Sequence, residues 1–136
     1  MRFKGKKRKV TTGLTPGDKY VAQLDRGDKV STEQLAEMLV TSSTVSKGDM
    51  LNTLDSVITQ MIYLLQFGHS IKLRGFGTFY VKTKVKAVNT LEEVTADTVE
   101  NIGIGFRPEV GIRDRMKKVS INIIPSEEEE GNTENP

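Results

Sequence analysis

The single histidine, His69, stands just after Gly68 at the end of an apolar stretch, where a cation near a helix C-terminus is favourable. No partner accompanies it in the sequence, and a structural role is expected in place of proton transfer. The chain has no cysteine, which removes disulfides, zinc–thiolate centres and thiol nucleophiles. Asp25 with Asp28, and Glu92 with Glu93, are close carboxylate pairs, but nothing in the pattern sets a metal or a substrate between them. Without a nucleophile and its base, a phosphate loop or a metal cluster, no enzymatic activity, metal site, cofactor or small-molecule substrate is expected. Arg26-Gly27-Asp28 spells an adhesion tripeptide, but three residues recur by chance and a turn is the better reading.

Grouped cations are the chemistry the sequence does offer. Arg2, Lys4, Lys6, Lys7, Arg8 and Lys9 place six positive charges in the first nine residues. On a nucleic-acid arm they would release counterions on meeting phosphate; on a sheet edge they would discourage pairing with other chains. Both readings stand at this point. Lys72, Arg74, Lys82, Lys84 and Lys86 would share a basic sheet face if their strands alternate regularly, or would be ordinary solvated strand residues. Arg107, Arg113, Arg115, Lys117 and Lys118 form a third group, rich in the planar guanidinium that suits phosphate geometry.

The net charge of +2 conceals this segregation. Glu127 to Glu130 and Glu134 oppose the basic opening with five negative charges, while 14 basic and 13 acidic residues nearly cancel between Val10 and Pro125. A nucleic-acid surface in that middle region must therefore come from arrangement in space. With 136 residues, 36% of them hydrophobic, one core is expected within a domain spanning 1–125, followed by an acidic disordered tail over 126–136. No run approaches the roughly 18 apolar residues of a membrane span, and the basic opening lacks a signal peptide's apolar stretch. A cytoplasmic location without membrane association is expected.

The elements that must position these cations are legible in part. Phe3 to Val10 and Tyr20 to Leu24 flank a Gly/Pro turn and predict a hairpin. Ser31 with Gln34 forms a capping box ahead of Leu35, Met38 and Leu39, predicting a first helix. Ser46 with Asp49 opens a second, whose residues Leu51, Leu54, Val57, Ile58, Met61, Ile62 and Leu65 trace a wide apolar stripe ending near Gly68. Strands are predicted over Ser70–Arg74, Thr78–Lys84 and Ile102–Phe106, with Asn89–Asn101 partly loop. A basic turn over Ile112–Met116 and a final strand over Val119–Ile123 follow. Helix two with Phe76, Phe79 and Phe106 is expected to form the main core.

Two capped helices, a strand opening Ile71-Lys72-Leu73, then Gly75-Phe76-Gly77-Thr78-Phe79 and a later Phe106-Arg107-Pro108 together resemble the HU and integration host factor family of bacterial histone-like proteins. The resemblance covers about Val30 to Met116. It implies an α+β fold with two helices packed on a small antiparallel sheet, a β-ribbon arm and an interlocked homodimer. The extra terminal strands resemble an extended HU-like branch. In that family the arms embrace the minor groove and proline wedges kink the duplex.

The arm chemistry departs from the family. Val85 to Asn101 contains neither arginine nor proline, and Lys84 and Lys86 face four acidic side chains between residues 84 and 101. Such a segment repels phosphate. Glu109 stands where the family usually has glycine, and Gly111 where it has a lysine. The resemblance implies sequence-tolerant binding of duplex DNA by a nucleoid-associated protein, through the three cationic groups above. The alternative is an interaction or structural protein that keeps the fold without DNA binding.

Overall fold

The computed structural model describes residues 1–13, 15 and 17–125. The expected acidic tail, 126–136, lies outside the described residues. In chain order the elements are β1 (Arg2–Val10), β2 (Gly17–Leu24), α1 (Thr32–Val40), α2 (Lys47–Gln66), β3 (Ile71–Leu73), β4 (Gly77–Val85), β5 (Val99–Pro108), α3 (Val110–Lys117) and β6 (Asn122–Ile124). In place of the expected single core there are two compact units, Val30–Lys117 and a smaller one joining Met1–Lys29 to the residues from Lys118 on. The physical reason is strand pairing: the terminal strands satisfy each other's backbone groups in a sheet of their own, ordered β2-β1-β6.

In the smaller unit β1 and β2 pair antiparallel from Phe3 beside Leu24 to Val10 beside Gly17. β6 joins the other side of β1 in parallel over Arg2–Lys4. The final strand begins at Asn122, later than its composition predicts. Before it, the Ser120 carbonyl accepts from the Met1 ammonium at 2.6 Å, and the Asn122 N–H donates to the Met1 carbonyl at 2.9 Å. Alternation puts Lys4, Lys6, Arg8 and Lys19 on one face, and Phe3, Ala22, Leu24 and Ile123 on the other.

In the larger unit the starts of α1 and α2 are capped as their sequences dictate. Ser31 Oγ accepts from the Gln34 N–H at 3.2 Å while Gln34 Oε1 accepts from the Ser31 N–H at 2.8 Å. Hydrogen bonds from its backbone and from Ser31 hold the Glu33 carboxyl below the usual glutamate range. Ser46 Oγ accepts from the Asp49 N–H at the start of α2. At its end, Gly68 takes φ +80° while the N–H groups of Gly68 and His69 return to the carbonyls of Leu65 and Leu64. His69 thereby has a backbone role.

The interior of this unit is thin. Ala36 of α1 and Leu65 of α2 are its buried aliphatic side chains; Leu51, Leu54 and Met61 are half-buried; Val57, Ile58, Ile62, Tyr63 and Phe67 stay exposed, Ile62 by 50%. Phe76, Phe79 and Phe106 do gather, with ring centroids 5.0 and 4.8 Å from Phe106, yet Phe76 and Phe106 remain exposed. The expected core is therefore an aromatic cluster and an apolar stripe covered on one side only.

β3, β4 and β5 form an antiparallel sheet in that order. One face carries Ile71, Leu73, Phe79, Val81, Ile102, Ile104 and Phe106; the opposite face carries Lys72, Thr78, Tyr80, Lys82, Lys84 and Arg107. The strand predicted over Ser70–Arg74 is confined to Ile71–Leu73. The expected ribbon arm is confined to the β4–β5 ladder, whose register shifts at Lys84/Val85. Beyond it, Leu91–Glu93 and Ala96–Thr98 are single 3-10 turns, and the loop closes through the Lys86 N–H on the Thr98 carbonyl at 2.8 Å. The predicted basic turn at Ile112–Met116 belongs to a two-turn helix, α3, opened by the Arg113 N–H on the Glu109 carbonyl.

Two β5-ladder glycines separate packing from tolerance. A Cβ on Gly77 would overlap the Arg107 carbonyl oxygen and the Phe106 ring, whereas one on Gly105 would meet only the Tyr80 side chain, which can swing away. Gly77→Ala is expected to destabilise by about 1–3 kcal/mol, the cost of overpacking, and Gly105→Ala by less. Thermal unfolding of both variants checks this; equal melting points would mean that the backbone approach at Gly77 is not close.

Candidate nucleic-acid interface

The polar face of the larger sheet is shaped by absent side chains. Gly105 lies opposite Tyr80 and Gly103 opposite Lys82, so β4 side chains fold across β5 without obstruction. A Cβ on Gly103 would stand 3.2 Å from Lys82 Cε, which places the lysine stem against the strand with its ammonium beyond. The Arg107 guanidinium lies 5.3 Å from the Tyr80 ring centroid, a cation–π distance. The result is a low surface of ring, lysine stems and cationic heads.

At one end this face meets α3. Lys72, Thr78, Arg107, Pro108, Glu109, Val110, Gly111 and Arg113 line an open cleft of about 430 Å³. Arg113 Nε donates to the Pro108 carbonyl at 3.3 Å, which holds its side chain back toward the start of α3. Glu109 accepts from the Gly75 N–H at 3.1 Å through one oxygen and pairs with Lys72 at 3.3 Å through the other. The acid that departs from the family pattern thus fastens the Gly75 turn and partly neutralises the cleft. Lys84 is likewise paired, with Glu100 at 3.1 Å.

In the smaller unit, Arg2 and Lys4 share Asp25 at 3.4 and 3.7 Å, and Lys7 pairs with Asp18 at 2.9 Å. Arg8 stands directly opposite Lys19 across the hairpin. Like charges opposite one another repel, so that position favours an arriving anion.

The predicted cations are distributed unevenly. Lys72, Lys82, Lys84 and Arg107 share the sheet face, and Arg113 joins Lys72 and Arg107 at the cleft. Arg74 sits in the turn after β3 and Lys86 lies past the end of β4. Lys117 follows Arg113 by one helical turn, whereas Arg115 points to another side of α3. Lys118 belongs to the smaller unit. Lys6 and Arg8 share one face of β1, and Lys7 and Lys9 the other, so the basic opening is not one patch. Sequence reasoning missed Tyr80, Lys19 and the part played by Glu109. Alternation of Tyr80-x-Lys82 against Gly103-x-Gly105 signals the first, once the strands are paired.

The chain spans 91% of its length in similarity to a Bacteroides vulgatus protein assigned provisionally as a bacterial DNA-binding protein, at 14% identity and a TM-score of 0.62. It matches 48% of that chain, about half its length. It is also similar to HU from an Anabaena HU–DNA cocrystal structure, at 14% identity and a TM-score of 0.52, over 65% of this chain and 99% of the other. At such identities the likeness concerns the fold. No curated protein matches. Among the described residues no helix is long and apolar enough to cross a membrane. The model of the HU-HIG family, described as an HU domain fused to wHTH, Ig, or Glycine-rich motif, matches residues 1–122, and the chain belongs to that family.

Proposed function

We propose that this protein binds duplex DNA as a sequence-tolerant, nucleoid-associated architectural protein, using phosphate contacts and no catalysis. The observation that carries the reading is the low polar face of the larger sheet. Lys82 and Arg107 extend from it, and Arg113 adds a third cation at its end. Among the described residues, none of these three is paired with a carboxylate. Guanidinium and ammonium groups on such a surface position a backbone without reading base edges. Lys72, Lys84, Arg115 and Lys117 contribute from the margins, and Lys6, Lys7, Arg8 and Lys9, with Arg74, Lys86 and Lys118, supply additional charge.

The partner in assembly is a second copy of the chain. Ile58, Ile62, Tyr63 and Phe67 expose more apolar surface than one small unit comfortably leaves to water. A groove of about 250 Å³ between Ile62 and Leu65 of α2 and Val81, Ile102 and Ile104 of the sheet lies beside them. A symmetric dimer would cover this stripe.

One observation favours the alternative of an interaction protein without DNA binding. Glu109 and Glu100 already occupy Lys72 and Lys84, and the loop beyond β4 is acidic, so part of the surface is neutralised from within.

Replacing Lys82, Arg107 and Arg113 together by alanine is expected to lower affinity about equally for unrelated duplexes. It should flatten the slope of log affinity against log salt by roughly 0.9 per lost phosphate contact. An unchanged slope would clear these residues, and no shift of any duplex near 50 mM salt by the parent protein would favour the interaction reading. Kinking is expected to be weak, because no proline stands between Gly17 and Arg107 to act as a wedge; bend-dependent gel mobility measures it.

Light scattering is expected to give a dimer at micromolar concentration, with Ile62→Asp shifting it to monomer or unfolding it. A parent protein that stays monomeric at high micromolar concentration would contradict the assembly.

A further inference from the structure

The loop that closes the β4–β5 ladder carries an apolar knob among acids. Leu91 is 83% exposed, and the residues from Ala87 to Thr98 include Glu92, Glu93 and Asp97 with no cation among them. The loop is held from within. The Glu93 and Val94 N–H groups donate to the Thr90 and Leu91 carbonyls at 3.3 and 3.1 Å, and the Thr98 N–H donates to the Thr95 carbonyl at 3.0 Å. Glu93 Oε2 accepts from the Asn89 N–H at 3.0 Å, which turns that carboxylate back on its own loop. Among the described residues Glu92 has no cationic partner. A pre-formed loop loses little freedom when it docks.

A complementary surface lies at the other end of the same ladder. Val85 pairs with Val99 at the loop end, and Gly77 pairs with Pro108 at the end beside the cleft. In that cleft of about 430 Å³ Pro108 and the exposed Val110 are apolar, and Arg107 and Arg113 are cations without a carboxylate partner among the described residues. Arg113 uses only Nε on the Pro108 carbonyl, which leaves its terminal nitrogens for another acceptor. The acid within the cleft, Glu109, is engaged by Lys72 and the Gly75 amide. Gly77 and Val85 are eight residue steps apart, which at about 3.4 Å each is roughly 27 Å of strand. The knob therefore cannot enter the cleft of its own chain.

We propose that the knob of one copy seats in the cleft of another, with Leu91 against Pro108 and Val110 and the Glu92 carboxylate on Arg107 and Arg113. The fork of a guanidinium matches the two oxygens of a carboxylate, and salt weakens a pair formed at the surface. Because the two surfaces differ, the contact is heterologous: each added copy offers a further knob or cleft, and repetition gives a chain or a ring. This contact goes beyond the DNA-binding reading and beyond the dimer through α2, which uses neither surface. Where DNA binding also holds, a seated knob withholds Arg107 and Arg113 from phosphate.

Sedimentation velocity on the whole chain, without DNA, tests the contact. At low salt the parent's mass is expected to grow with concentration above a baseline set by α2, dimer or monomer, and to fall back to that baseline at high salt. The knob variant Leu91→Ser/Glu92→Gln and the cleft variant Arg107→Gln/Arg113→Gln are each expected to lose the growth. All four side chains are exposed, and melting points equal to the parent's verify the folds before the variants are mixed. Mixed in equal amounts, the two variants are expected to rise above the baseline again, because one supplies an intact knob and the other an intact cleft. A parent whose mass does not grow, growth indifferent to salt, growth in either variant alone, or a mixture that stays at the baseline would overturn the proposal. With no DNA present, each of these outcomes is independent of whether the protein binds phosphate.

Discussion

Where Tyr80 lies across Gly105 and Lys82 across Gly103, β5 leaves the middle of the polar face of its sheet without side chains of its own. The alternation of the β4–β5 ladder then assigns everything else. Odd positions of β4 and even positions of β5 collect the aliphatic groups with Phe79 and Phe106; the remaining positions collect Tyr80 and the cations. A slip of one residue would exchange the two sets. The buried Gly77 opposite Pro108 pins one end of the ladder, and the positive φ of Gly75 permits the turn that begins it. The position of Arg107 over Tyr80 is thus a consequence of backbone register.

The same alternation leaves the apolar face in need of cover. α2 provides it through Leu65 and its neighbours, but a helix with so wide a stripe cannot turn all of it toward one three-stranded sheet. Its outward residues follow the helical period as regularly as the inward ones. Their exposure accounts for how little of the larger unit is fully buried.

The locally encoded parts of this arrangement were legible in the sequence. Ser31 with Gln34, Ser46 with Asp49 and the Gly68 exit each act within a few residues, and each stands where its chemistry predicts. The helical reading of α3 was hidden because Gly111 weakens it and because Glu109, which starts it, is held by Gly75 far back in the chain. Division into two units was hidden for a similar reason, since the contact between the first and last strands is the most distant in sequence. Of the site, the cationic residues could be named one by one. Which of them share a face depends on strand pairing between Gly77–Val85 and Val99–Pro108, and so does the role of Tyr80, which carries no charge to draw attention.

Glu109 joins two events that would otherwise be independent. One carboxylate oxygen holds the Gly75 amide at a left-handed turn, and the other holds Lys72 at the edge of the cationic cleft. An anion that draws Lys72 away changes the field on that carboxylate, and a change in the turn alters how firmly Lys72 is retained. Such effects are reciprocal by thermodynamic necessity. Binding of an anion in the cleft would therefore be linked to the rigidity of the β3–β4 corner, and ordering at the corner would report it.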